Sequence, residues 1–183
     1  MLSFLSLKRD LLETVTKDGD GQACPPLVIA ARNGHEKAVH SLIVKFGHGA
    51  RSGCNSSSDD DVILDLDITG NVIFDDVEIE GATALWCAAG AGHFKVVKTL
   101  VKAGAQVDKT TESHSTPLRA ACYEGHTDIV RFLIEKAQAD VNMVNKYDNT
   151  CLMIAAYKGH VEIVRYISEY TEFCTLSFAA FTK

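Results

Sequence analysis

The sequence predicts an all-α solenoid: paired antiparallel helices joined by short hairpin loops, interrupted once by a long acidic insertion. Three observations carry this expectation. Ser115–Leu133 reads STPLRAACYEGHTDIVRFL, and the segments 26–42, 83–100 and 150–167 keep the same order of residues. The histidines that mark the register, His35, His93, His126 and His160, lie 58, 33 and 34 residues apart. On both sides of each Gly-His turn the apolar residues recur at helical spacing, which buries one stripe per helix.

A period near 33 with Thr-Pro-Leu, Ala-Ala and Gly-His in that order is the ankyrin repeat, and four copies exceed the roughly three needed to bury a continuous core. Residues 1–22 read as a degenerate N-terminal helix and cap, with Leu5, Leu11, Leu12 and Val15 on one face of 1–17 and the break at Asp18–Gln22. The first full repeat is 23–47, where Pro26 opens a helix at the position that needs no N–H. The excess of the first interval falls in 48–81. Its serine- and aspartate-rich part, 50–61, reads as mobile. Order is expected again at 62–67 and 71–75, as a hairpin turning at Thr69-Gly70-Asn71. Repeats follow at 82–114, with an exit glycine at Gly104, at 115–148, and at 149–170 as a partial unit. After Tyr170 the pattern stops; 171–183 is either the uncapped end of a truncated array or an improvised cap. Ala31, Ala89, Ala121 and Ala156 are expected at close helix contacts, where a larger residue overpacks the stack at a cost of roughly 1–3 kcal/mol.

At 183 residues, 46% hydrophobic and 23% charged, the composition is that of a soluble globular chain. A net charge of −6 argues against nucleic acid as a partner and leaves room for a basic peptide. No apolar run suits a membrane span or a secretory signal. The six cysteines, Cys24, Cys54, Cys87, Cys122, Cys151 and Cys174, form no Cys-x-x-Cys pair and read as reduced packing residues of a cytoplasmic or nuclear protein. No cofactor or metal is expected, because one histidine per repeat does not assemble a ligand set; the histidines read as structural, bonding loop backbone. No nucleophile, phosphate-loop or metalloprotease motif supports catalysis, and an open groove excludes water poorly.

Four stretches go beyond the ankyrin consensus: FDDVEIEGA at 74–82, ALWCAAGAGH at 84–93, STPLRAAC at 115–122 and NKYDNTCLMIAAYKGH at 145–160. They resemble the Fem (feminization) family over about residues 24–170. That resemblance implies a non-catalytic substrate receptor of a cullin–RING ubiquitin ligase. Its ankyrin array would hold the C-terminal degron peptide of a substrate protein, a tail ending in or near arginine. Cullin and elongin would be reached only through a region this chain does not contain. The family's Phe-Asp-Gly motif falls on Phe74-Asp75, with Asp76 in the glycine's place. Its Cys-Phe-Asp-Gly motif falls on Cys122-Tyr123-Glu124-Gly125. Asp75 and Glu124 would then clamp a guanidinium bidentately.

Around these carboxylates the candidate peptide-binding residues are Phe74, Trp86, Ser115, Arg119, Tyr123, Tyr157 and Lys158. Trp86, Tyr123 and Tyr157 offer aromatic faces, although each could equally pack between repeats. Arg119 and Lys158 could receive a terminal carboxylate, or Arg119 could bridge to a neighbouring acid within the array. Two alternatives stand beside the degron reading: a general ankyrin scaffold for a folded partner, and a truncated competitor that binds degrons without promoting their destruction.

Overall fold

The computed structural model describes residues 16–17, 23–46, 64–74 and 76–181; at 16, 17, 23 and 172–181 only the backbone is described. Eight helices among them form four pairs: α1 (Pro26–Arg32) with α2 (Glu36–Phe46), α3 (Ala84–Gly90) with α4 (Phe94–Ala103), α5 (Pro117–Glu124) with α6 (Thr127–Glu135), and α7 (Cys151–Lys158) with α8 (Val161–Phe181). The first helices α1, α3, α5 and α7 pack in series as one layer, and α2, α4, α6 and α8 as the other.

The recurring letters have local causes. The threonine before each later first helix caps it: the hydroxyls of Thr83, Thr116 and Thr150 accept from the backbone N–H groups of Trp86, Arg119 and Met153 at 3.1, 3.1 and 3.2 Å. Pro26 and Pro117 follow at the first helical turn. The paired alanines let the layers approach, and Ala31, Ala89 and Ala121 are fully buried. Ala156 is exposed, because no further helix pair lies over the outer side of α7 among the described residues, so the overpacking expected there does not apply.

The turn histidines do more than close their own loops. His93 Nε2 lies 2.9 Å from the carbonyl of Arg32, His126 Nε2 2.9 Å from that of Gly90, and His160 Nε2 2.9 Å from that of Tyr123. A carbonyl only accepts, so each ring carries its proton on Nε2 and donates to the preceding repeat. The histidine is thus an inter-repeat staple.

The segment between the first and second helix pairs differs from expectation. Thr69–Gly70–Asn71 is not a turn but part of strand β3 (Thr69–Phe74), which pairs antiparallel with β4 (Val77–Thr83). The hairpin reverses between the paired Phe74 and Val77, where Asp76 adopts φ 61°. Aspartate tolerates this left-handed conformation better than most residues, which is how it stands where the resembled motif has glycine. Asn71 faces two residues, Glu80 and Gly81, across a bulge. Gly70 is required because a Cβ there would lie 2.6 Å from Pro25 Cδ and 2.7 Å from Cys24 Sγ. Residues 64–68 form a turn rather than a strand. Asp65 Oδ1 accepts from Asp67 N at 2.9 Å, and Asp67 Oδ1 from Gln106 N at 2.8 Å.

Thr16–Lys17, expected in a helix, instead form a two-residue strand, β1, paired with β2 (Ala23–Cys24). The helix expected over 1–15 and the acidic stretch 48–61 lie outside the described residues. Beyond Tyr170 the backbone of α8 continues helical to Phe181. Cys24, Cys87, Cys122 and Cys151 are buried in the core and form no disulfide with one another.

Candidate functional site

The hairpin β3–β4 stands beside the second and third helix pairs and closes one side of a cavity of about 250 Å3. Phe74, Val77 and Ile79 come from the hairpin, Trp86 and Gly90 from α3, and Arg119, Ala120, Tyr123 and Glu124 from α5. Ser113, Ser115, Asn145 and Tyr147 come from the loops that precede α5 and α7. Apolar side chains make the floor and a few polar groups the walls, the usual build of a ligand cleft.

Trp86 anchors the floor. It is 6% exposed, its indole N–H donates to Ser115 Oγ at 3.2 Å, and the Phe74 ring meets it edge-on at 5.4 Å. Phe74 is held from behind by Arg32, whose guanidinium lies 5.7 Å from the ring centroid and donates to the Ile73 carbonyl at 2.8 Å. Trp86 and Phe74 are therefore both a packed seam and part of the cavity lining.

Arg119 is half-buried, and one of its guanidinium nitrogens donates to the carbonyl of Asn149 at 3.0 Å and, more weakly, to that of Thr150 at 3.5 Å. It bridges within the array, to backbone carbonyls rather than to the neighbouring acid expected, while still lining the cavity. Burial holds its pKa below the usual guanidinium value. Glu124 ends α5 at the cavity wall, and Tyr123, 36% exposed, stands at its mouth with Lys158 Nζ 3.8 Å from its ring centroid. Tyr157 and Lys158 do not line the cavity: Tyr157 is 84% exposed on α7, and Lys158 meets the site at the Tyr123 ring. Asp75 lies outside the described residues.

Sequence reasoning missed Val77, Ile79, Gly90, Ser113, Ala120, Asn145 and Tyr147. A signal for two of them was present. The loops 111–115 and 145–149 are the same five-residue turn. Thr111 N donates to Ser115 O, and Asn145 N to Asn149 O; His114 and Asp148 have φ 59° and 57°. Thr111 Oγ1 and Asn145 Oδ1 accept inside these turns from Ser115 N and Asn149 N. Ser113 and Tyr147 therefore hold one register position in successive repeats, and the repeat period brings both to the cavity. Tyr147, 68% exposed, carries Lys146 Nζ 5.3 Å from its ring centroid.

Among the described residues, no group of three or more His, Cys, Asp or Glu is placed to hold a metal ion, and no helix is long and apolar enough to cross a membrane.

The sequence matches the family described as Ankyrin repeats (3 copies) over residues 7–145 and again over 107–177. It is 45% identical to a fem-1 homologue of Drosophila melanogaster over 91 residues, which is 50% of this chain and 11% of that protein. It is 42% identical to the sex-determining protein fem-1 of Caenorhabditis elegans over 110 residues, 60% of this chain and 14% of that protein. The chain thus spans a small part of the length of these two relatives. A Notch-regulated ankyrin repeat-containing protein of Xenopus laevis is 32% identical over 108 residues, covering 59% of this chain and 76% of that protein.

Proposed function

This chain belongs to the ankyrin-repeat proteins, and from that premise we propose that it is a substrate-recognition module whose cavity holds the C-terminal tail of a protein destined for ubiquitin-dependent degradation. The observation that carries the reading is one cavity that joins an aromatic floor, Trp86 and Phe74, to a carboxylate, Glu124, and to a rim where cations lie over tyrosine rings. Its size suits a single long side chain and the backbone that follows it. An arginine near the end of the tail would lay its guanidinium on the aromatic walls and pair with Glu124, a charge-assisted contact roughly twice as strong as a neutral hydrogen bond. Asp75, beside Phe74 in sequence, is the second carboxylate of the proposed clamp. The terminal carboxylate would meet Arg119 and the lysines of the rim, Lys146 and Lys158.

On this reading the chain is a non-catalytic adaptor working in the cytoplasm or nucleus. Contact with elongin and a cullin would depend on residues outside it. The test is fluorescence anisotropy with labelled peptides ending in arginine. Binding in the micromolar range or tighter is expected, with at least a tenfold loss on Glu124→Ala, on amidation of the C-terminus or on Arg→Gln in the peptide. Unchanged binding after amidation overturns recognition of a chain terminus.

A second reading, an ankyrin scaffold for a folded partner, is favoured by the guanidinium of Arg119, which is already committed to the carbonyls of Asn149 and Thr150. It predicts that Glu124→Ala matters no more than a substitution on the opposite face.

A further inference from the structure

The second-helix layer carries a surface that the cavity does not use. In a chain of net charge −6, α2 and α4 together hold five lysines and one glutamate, and α4 itself, FKVVKTLVKA, has three lysines and no acid. Lys95, Lys98 and Lys102 are spaced three and four apart, which sets them on one stripe of the helix over about 10 Å. All three are exposed, Lys95 to 82% of its side chain.

Beside this stripe lies an aromatic pair. The Phe94 and Phe132 rings, from neighbouring helices α4 and α6, meet edge-on at 5.6 Å, and both are only half-buried. Lys98 Nζ sits 4.2 Å from the Phe94 centroid and 6.0 Å from that of Phe132, so its ammonium is held in place over apolar surface. Arg131, one repeat on at the same distance after its turn histidine, lies 5.1 Å from the Tyr166 ring. The acids of the neighbourhood stand at the margins. Glu36 touches Lys95 only at 4.0 Å, and Asp128 and Glu135 flank Arg131 on α6.

We propose that the Phe94–Phe132 pair and the lysine stripe of α4 form a second docking surface, separate from the cavity, for an acidic peptide segment that carries an apolar residue between its carboxylates. Charge selects the occupant. The stripe is a positive region of an acidic molecule, and carboxylates about 10 Å apart, one three-residue turn of an extended polyproline-II chain, match Lys95 and Lys102. The apolar side chain would cover the exposed edges of the two rings beside Lys98, whose fixed position leaves less side-chain entropy to lose on binding. A nucleic acid fits less well. Its continuous phosphates would run from the stripe onto Asp128 and Glu135, which repel them.

The experiment uses the full chain and a short fluorescein-labelled peptide repeating Glu-Phe-Ser, which sets its glutamates three residues apart, with a Gln-Phe-Ser peptide and oligothymidylate as controls. The acidic peptide is expected to bind, more weakly as salt rises, and the glutamine peptide to bind at least tenfold less tightly. Lys95→Glu/Lys98→Glu/Lys102→Glu, confined to exposed positions, is expected to weaken binding at least tenfold while leaving the melting curve and the binding of arginine-ended peptides unchanged. Phe132→Ala is expected to weaken it severalfold with every charge intact. A triple variant that binds within twofold of the parent overturns the proposal. So does oligothymidylate binding as tightly as the acidic peptide, which would mark an unselective anion surface. Because the arginine-ended peptide is measured on the same variants, failure here and failure of the cavity reading are told apart.

Discussion

At the scale of single residues, the glycines separate the demands of the fold from those of the site. Gly125 has φ 85°, and a Cβ there would lie 2.6 Å from His160 Cε1, in the path of the inter-repeat staple. Gly90 ends α3 with ordinary helical geometry, and a Cβ there would meet Phe74 Cε1 at 3.5 Å and Ala120 Cβ at 3.6 Å, normal contact distances. Alanine should therefore act in opposite directions at the two sites. Gly125→Ala is expected to lower stability by about 1–3 kcal/mol through backbone strain and crowding. Gly90→Ala is expected to raise it by about 0.5–1 kcal/mol by favouring the helix. Gly90→Leu, which pushes a side chain into the cavity, should abolish arginine-peptide binding in a chain that still folds. Urea denaturation and peptide anisotropy on the three variants check this; a Gly90→Leu chain that binds normally would remove the cavity from the recognition argument.

At the scale of elements, the helix pairs were legible because they are punctuated by residues with one physical job: threonine to cap three of the first helices, proline to start two of them, glycine to turn. The hairpin was misplaced because Thr69-Gly70-Asn71 looks like turn chemistry. Gly70 is there for close approach to Cys24 and Pro25, and the true reversal uses Asp76, whose positive φ no glycine announces. His93, His126 and His160 bond backbone as expected, but their partners sit a repeat away instead of in their own loops, which spacing alone does not show. This gives the staples an order of importance. The His93 and His126 bonds are half-buried, whereas the His160 bond to Tyr123 is exposed. Replacing His126 by alanine strands the Gly90 carbonyl inside the stack, at about 1–2 kcal/mol; His160→Ala should cost less, because water can replace it. Equal losses of urea stability for the two would show that the bond is worth the same wherever it lies.

At the scale of the whole molecule, the cavity was half legible. Trp86, Ser115, Arg119, Tyr123 and Glu124 come from the two repeats whose letters are clearest, while Asn145 and Tyr147 enter only once the stack sets one loop beside another. The same stacking governs how the chain opens. In a solenoid each repeat contacts only its neighbours, so the end units separate at lower free energy than the middle. Cys87 and Cys122 lie in the second and third pairs, both 0% exposed, and Cys151 in the fourth at 3%. The fourth pair has Met153, Tyr157 and Val161 exposed at 55, 84 and 66%, so little holds its outer side. Burial pushes the Cys87 thiol well above its ordinary value; Cys122 is also raised, first by its contact with Cys151 and then by burial. Neither can offer a thiolate in place, and each reacts only when its repeat opens. Site-resolved mass spectrometry after iodoacetamide labelling at mildly alkaline pH and increasing urea should find Cys151 modified first, at urea below the main transition. Cys122 and Cys87 should follow together with global unfolding. Cys151 protected until that transition would mean that the four pairs unfold as one unit, and Cys122 reacting before Cys151 would place the weak point at the middle seam instead of the end.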